Sequence, residues 1–253
     1  FGFGLRFRLQ TSGRDRSPQP EGRSQCGGAS HRGIYASTTS PSITSSFLCC
    51  CDAALAAFAT VESPAAAETI RFAIMRDGQP IGTNTIELGR YGAETTVKMV
   101  THIQVKIAFM TAYRFDQTET ERWVDGRLVA LEAATDDNGT PHRVKATSSN
   151  GKITVNADGK VIEVAGTTIP ASYWNAALLG KTVALNPQDG AIVPVAVTDR
   201  GEDHVVVQGR AKRTHHYVIR TTFPQDVWYD EDRQLVKVEL KASDGSTIRY
   251  QPG

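Results

Sequence analysis

Cysteine is missing from most of this chain. The sequence has 253 residues and four cysteines, all of them near the start: Cys26, Cys49, Cys50 and Cys51. No disulfide can therefore stabilise the later part of the chain, and no thiolate nucleophile is available there. That later part is long enough to bury an ordinary hydrophobic core without covalent support.

Motifs that bind phosphate or form familiar catalytic centres are also missing. The sequence contains no G-x-x-x-x-G-K-[ST] loop, no G-x-G-x-x-G before a helix and no G-x-S-x-G turn. The net charge of +1 argues against a dedicated nucleic-acid surface. We therefore predict no cofactor and no nucleic-acid partner.

The histidines do not suggest a metal site. His215 and His216 are adjacent, and neighbouring residues in a strand point to opposite faces. His102, His142 and His204 are far apart in the sequence and form no ligand-spacing motif. We predict no bound metal.

Methionine is absent before Met75, and the first part of the chain differs in composition from the rest. Residues 1–46 are rich in Ser, Gly and Arg, which predicts a disordered leader or a spurious upstream extension. Residues 47–67 resemble a signal peptide, with a short apolar run and an Ala triplet before Glu68. The run is too short to span a membrane, so we predict no transmembrane span and a periplasmic or secreted location. An organelle transit peptide or a helix of the domain are the alternatives.

Alternating apolar residues dominate the chain after residue 67. Ile70, Phe72 and Ile74 begin the pattern, and turn signals recur about every 8–12 residues, as in sandwiches and barrels. The predicted turns lie at Asp77-Gly78, Asp125-Gly126, Asn138-Gly139, Asn150-Gly151, Asp158-Gly159, Asp189-Gly190, Gly201 and Asp244-Gly245. We predict a mainly all-β domain over 68–253, a strongly curved antiparallel sheet forming a barrel or half-barrel.

One segment interrupts the strand pattern. Between Pro170 and Gly180 the sequence carries Ala and Leu where strands would carry β-branched residues. We predict one short helix near 171–179, ended by Gly180.

Two acidic residues are spaced to share a strand face. Glu119 and Glu121 are two residues apart, as a retaining glycosidase pair could be. Acidic residues on a strand surface are far commoner, and that is the interpretation we favour.

The aromatic residues gather near strand ends and the predicted helix. Such residues often line the mouth of a ligand-holding barrel, although packing as core at the barrel ends is commoner. The candidate ligand-binding residues are Tyr113, Trp174, Asn175, His216 and Trp228.

Four segments together resemble a known family. They run from Phe72 to Gly82, Tyr113 to Gly139, Tyr173 to Asn175 and Val227 to Tyr250. Their order is similar to an uncharacterised family of exported bacterial proteins catalogued only as a domain of unknown function. At the level of the fold, that family is similar to periplasmic half-barrels that carry lipoproteins. The resemblance implies an exported β-rich domain and no established catalytic residues.

We therefore expect an exported, non-enzymatic binding protein that holds an apolar, lipid-like or amphiphilic ligand in a curved sheet. One alternative is a structural or interaction module whose partner is another cell-envelope protein. The other is an unrecognised hydrolase that uses His216 or an acidic turn. The sequence leans against an enzyme without excluding one.

Overall fold

The chain from residue 65 onward consists mostly of β-strands. The computed structural model describes residues 65–107 and 110–253, with the side chains of 65–67 and 107 excepted. The strands are β1 (Ala65–Arg76), β2 (Gln79–Tyr91), β3 (Glu94–Ile107), β4 (Met110–Val124), β5 (Arg127–Asp137), β6 (Thr140–Ser149), β7 (Lys152–Ala157), β8 (Lys160–Ala165), β9 (Val183–Leu185), β10 (Ile192–Pro194), β11 (Ala196–Val207), β12 (Arg210–Arg220), β13 (Pro224–Tyr229), β14 (Leu235–Lys241) and β15 (Thr247–Pro252).

The predicted leader, 1–46, and most of the signal-peptide-like segment, 47–67, lie outside the described residues. Strand β1 begins at Ala65, three residues before the predicted domain start at Glu68. The predictions of export and cleavage stay predictions.

Thirteen of the strands form one antiparallel sheet, in the order β11-β12-β13-β14-β15-β1-β2-β3-β4-β5-β6-β7-β8. Strand β1 lies inside the sheet, because β2 pairs with one of its edges and β15 with the other. Strands β8 and β11 are the two ends and do not pair with each other, so the sheet is open. This confirms the prediction of a curved antiparallel sheet and corresponds to the half-barrel form.

Tight two-residue turns connect many of the strands. Asn138 and Gly139, for example, have φ values of +52° and +89°, and both residues of the pairs at Asp77, Asp125, Asn150 and Asp158 likewise have positive φ. In the pairs Asp189-Gly190 and Asp244-Gly245 only the glycine has positive φ. Positive φ at both positions is typical of the hairpin turn that matches the twist of the strands. The predicted turn at Gly201 is wrong, because Gly201 lies inside β11 at a register shift.

The inner face of the sheet encloses one main hydrophobic core. Its members come from β1 to β7, from β12 to β15, and from the segment between β8 and β11. We call residues 167–195 of that segment the plug. Ile169, Ala171, Tyr173, Leu178 and Leu185 of the plug all belong to the core, and each is 4% exposed or less. The plug therefore fills the space that the curved sheet leaves on its inner side.

The predicted helix is shorter than expected. A 3₁₀ helix spans Ala176–Gly180, and residues 171–175 precede it without helical structure. Asn175 determines where the helix starts. Its backbone is extended, and its side-chain oxygen accepts a hydrogen bond from the Ala177 amide, so Asn175 is the N-cap. Within the described residues, no helix is long and apolar enough to cross a membrane.

Candidate functional site: the polar interior beneath the plug

The plug is attached to the sheet by hydrogen bonds at two distant strands. On β4, Ser172 and Trp174 of the plug bind the carboxyl groups of Glu119 and Glu121. On β13, the Tyr229 hydroxyl donates to the Tyr173 carbonyl oxygen over 2.8 Å. The plug thus connects the two arms of the sheet that extend from β1.

Glu119 and Glu121 lie inside the core, where the sequence interpretation placed neither. They are 1% and 3% exposed. The expectation of surface acids is wrong, because both share the inner face of β4 with Phe115 and Trp123. A period of two sends all four side chains to the same side of the sheet.

Four donor contacts converge on this carboxyl pair. The Ser172 Oγ lies 2.9 Å from Glu119 Oε1 and 2.7 Å from Glu121 Oε1. The indoles of Trp123 and Trp174 donate to Glu121 Oε2 over 2.7 and 3.0 Å. The two indole rings meet edge to face, with centroids 5.8 Å apart. Glu121 therefore has three of these contacts and Glu119 has one.

The surroundings of the pair favour a bound proton. The cross-strand neighbours of Glu119 are Met99 and Ala133, and those of Glu121 are Val97 and Leu131. None of the four can ionise. Burial first, then the charge and hydrogen bond of Glu121, raises the pKa of Glu119 well above its ordinary value of 4.5. Burial also raises the pKa of Glu121, against the opposing hydrogen bonds.

A row of further buried polar side chains crosses the inner face. Asn84 on β2 lies opposite Thr101 on β3, which lies opposite Gln117 on β4, which lies opposite Thr135 on β5. Each of the four is 5% exposed or less. Only one hydrogen bond between their side chains is formed, from Asn84 Nδ2 to Thr101 Oγ1 over 2.9 Å.

Several buried polar groups, in this row and on β13, have no hydrogen-bond partner in the described part of the chain. They are Asn84 Oδ1, both amide atoms of Gln117, Thr135 Oγ1 and both amide atoms of Gln225. Gln225, on β13, is fully buried. Buried polar groups are normally hydrogen-bonded, and each unpaired one costs about 1–3 kcal/mol. These unpaired groups are therefore concentrated on the inner face of the sheet.

Two of the residues that carry unpaired groups, Asn84 and Gln225, are among those that line an interior gap. The gap has a volume of about 250 Å³ and is lined by Asn84, Tyr173, Gln225, Leu235, Val238, Leu240 and Tyr250. The lining combines polar and aliphatic side chains, with Gln225 beside Leu240 and Tyr250 beside Val238 in the strand register, and no lining residue is charged. In this conformation the gap is too narrow for a water molecule.

The predicted ligand-binding residues fall on both faces of the sheet. Tyr113 and Trp174 lie on the inner side, where the Tyr113 hydroxyl donates to Asp137 over 2.8 Å and Trp174 binds Glu121. Asn175 caps the 3₁₀ helix, a role that already uses its side-chain oxygen. Whether these three contact a ligand stays a prediction.

His216 and Trp228 belong to a separate cluster on the outer face. The His216 ring lies flat on the Trp228 indole, with centroids 4.3 Å apart, and Lys237 Nζ approaches that indole to 4.0 Å. Trp228 also packs with Val205 and Val236. The five predicted residues therefore do not form one site.

The observed contacts do not assemble a hydrolytic centre from the predicted residues. His216 Nε2 lies 2.7 Å from Asp226 Oδ1, yet its ring face is covered by the indole. Glu119 and Glu121 both bind one serine hydroxyl inside the core, which leaves no room between them for a sugar. Among the residues that the structure describes, no three His, Cys, Asp or Glu side chains gather as metal ligands.

Sequence reasoning overlooked the residues that line the gap. A signal for them existed: Asn84 alternates with Ile86 and Leu88, and Gln225 alternates with Val227 and Tyr229. A polar residue in phase with an apolar strand face points inward. Tyr173 carried no such signal, because it lies outside the strands.

The sequence profile of one family matches residues 72–253. The chain belongs to that family. It is described as "Domain of unknown function (DUF6134)", and it confirms the expected membership of an uncharacterised β-rich family. No curated protein matches the chain.

The half-barrel fold has a structural relative. A crystal structure described as a β-barrel-like protein of the domain of unknown function DUF1849, from Brucella abortus, is similar with a TM-score of 0.55. The identity is 12%, and the similarity covers 74% of the DUF6134 chain and 95% of the other chain. This likeness establishes the fold alone.

Proposed function

We propose that this DUF6134 protein is an exported, non-enzymatic binding protein whose ligand occupies the interior beneath the plug. The observation that carries the proposal is the pair of buried amides, Gln225 and Asn84, facing a gap below Tyr173. A ligand that hydrogen-bonds these amides would satisfy groups that are otherwise costly to bury.

The lining indicates the kind of ligand. Leu235, Val238 and Leu240 offer an aliphatic wall, and the amides and phenols offer hydrogen bonds. Because no charged side chain lines the gap, an ionised head group would remain unpaired there. The ligand is therefore a small amphiphile with a neutral polar head and an apolar portion.

Under this proposal the described conformation is the closed one, because the gap is too narrow for a ligand. Binding pockets for small molecules usually measure about 300–1,000 Å³. The gap beneath Tyr173 offers no such space, because it does not admit even a water molecule. Ligand entry therefore requires the plug to move away from the sheet.

The test is native mass spectrometry of the protein purified gently from the periplasm of an expressing bacterium. We expect a co-purifying small molecule, retained by wild type and lost from Gln225→Leu. Gln251→Leu is the matched control, because Gln251 lies exposed on β15 of the same sheet. A bare wild-type mass, or equal retention by Gln225→Leu, would contradict the interior site.

One observation favours a second candidate, an envelope-protein interaction module. Strand β8 ends the sheet, and Val161 on it is 58% exposed. An uncovered edge strand can pair with a strand from another protein. A protein partner that co-purifies with wild type and is lost from Val161→Lys would support this function.

A further inference from the structure

Glu119 and Glu121, the carboxyl pair that holds the plug, share a single hydroxyl hydrogen, which is too few if both carboxyl groups are ionised. Ser172 has one hydroxyl hydrogen and lies within 2.9 Å of an oxygen of each carboxyl. If both groups were ionised, the hydroxyl could serve only one of them. A proton on Glu119 completes the set, since Glu119 can then donate while Ser172 donates to Glu121.

Among the described residues, no charged side chain contacts the carboxyl pair in place of this proton. The strands on either side present Val97, Met99, Leu131 and Ala133. From the plug, the contacts are Ser172 and Trp174, and Trp123 contributes from β4 itself; none of these ionises at ordinary pH. The nearest ionisable plug side chain, Tyr173, is buried, and its phenol pKa is raised by that burial.

We propose that Glu119, Ser172 and Glu121 form a proton-dependent latch that holds the plug closed in acid and loosens it as the pH rises. Losing the proton from Glu119 to bulk water leaves two buried carboxylates facing one hydroxyl, and no described side chain forms an ion pair with either of them. Their repulsion is relieved when Ser172 and Trp174 withdraw and water enters. The step is an acid dissociation and needs no other reactant.

The coupling between proton release and plug opening determines the sign and the size of the pH dependence of opening. Opening exposes Glu119, whose pKa then returns toward its ordinary value of 4.5, so opening releases a proton. The opening equilibrium therefore rises about tenfold per pH unit between that value and the raised pKa of the closed state. The latch itself does not depend on the ligand, but its consequence for ligand entry rests on the proposed function.

Hydrogen exchange of the full chain tests the latch. The amides of Ala171, Asn175 and Leu178 are hydrogen-bonded within the plug and report its opening. With intrinsic exchange rates divided out, we expect their protection to fall as the pH rises above 4.5, by up to about tenfold per pH unit. Amides of β2 should keep their protection over the same range.

Matched variants separate the latch from a general effect of pH. Glu119→Gln keeps a donor at this position but cannot ionise, so its plug protection should lose most of the wild-type dependence on pH, with Glu121 as the remaining ionisable member of the latch. Glu132→Gln, on the exposed outer face of β5, should behave as wild type. The latch is overturned if wild-type protection is constant with pH, if Glu119→Gln keeps the wild-type slope, or if plug and β2 open together. A ligand missing from native mass spectra would overturn the proposed function without affecting these results.

Discussion

Glu119 should make the stability of the folded protein depend on pH. Its folded-state pKa is raised, so above pH 4.5 the folded state holds a proton that the unfolded state has released. Its contribution is full below 4.5 and is lost as the pH rises toward the folded-state value. Urea unfolding at pH 5 and pH 8 should show wild type losing up to about 1.4 kcal/mol per pH unit from this group. Glu119→Gln should lose most of that difference, and an unchanged difference would place the titration elsewhere.

Ser172 should contribute more to the free energy of unfolding than an exposed serine does. Ser172→Ala removes the hydroxyl shared by two buried carboxyl oxygens, and we expect a loss of about 1–3 kcal/mol in unfolding free energy at neutral pH. Ser149→Ala is the control, because Ser149 is exposed at the end of β6, and it should stay within about 0.5 kcal/mol of wild type. Equal losses in both variants would refute a role for the shared hydroxyl.

At the residue scale, the sequence predicted some details of the site and not others. The opposite directions of His215 and His216 were foreseen, and they bind Asp199 and Asp226 respectively. The burial of Glu119 and Glu121 was missed, because acidic residues on strands are usually exposed. Their spacing from Phe115 and Trp123, which places all four on the same face of β4, was the signal that should have decided. The contacts of Ser172 depend on where a non-strand segment folds back, which local sequence does not determine.

The left-handed geometry of the hairpin turns can be tested by comparing alanine substitutions at two glycines, Gly139 and Gly180. Gly139 has φ +89° and open space around a would-be Cβ, so Gly139→Ala introduces backbone strain without a clash. We expect a loss of about 1–2 kcal/mol in unfolding free energy.

Gly180 provides the comparison, because it also has open space but no left-handed φ. Gly180→Ala should leave stability unchanged or raise it by about 0.4–1 kcal/mol. If the two alanine variants are equally stable, the left-handed geometry of the Asn138-Gly139 turn is wrong.

At the element scale, strands and turns were predictable for a physical reason. Asn-Gly and Asp-Gly pairs adopt left-handed conformations at low cost, and in this sequence they lie between segments of alternating apolar and polar residues. The turn at Gln208-Gly209 lacked this signature yet has the same geometry, with φ values of +49° and +77°. The predicted helix was too long, because the preference of Ala and Leu for helices does not show that Asn175 would begin the helix five residues late.

The open sheet leaves an edge that should promote association at high concentration. Val161→Lys on β8 puts a charge on that edge, a common natural protection against strand pairing. We expect light scattering to show less self-association than wild type. Val100→Lys is the control, because Val100 is 40% exposed on β3, a strand paired on both sides. A wild type that stays monomeric at every concentration would remove edge pairing from the account.

For the whole molecule, the class of fold was within reach of the sequence, and the filling of its interior was not. Alternation and turn spacing predict a curved antiparallel sheet, because each strand buries one face. They do not reveal that β1 lies between β2 and β15, or that the plug covers the inner face. Both depend on contacts between residues far apart in the chain.

We propose that the space lined by Tyr173, Asn84 and Gln225 is a ligand site. The most direct measurement is a crystal structure of the protein purified gently from its expressing host, at a resolution that shows individual side-chain atoms. The account predicts non-protein density hydrogen-bonded to the amides of Gln225 and Asn84, with the plug displaced enough to admit it. A gap of unchanged width that contains no such density would contradict the claim.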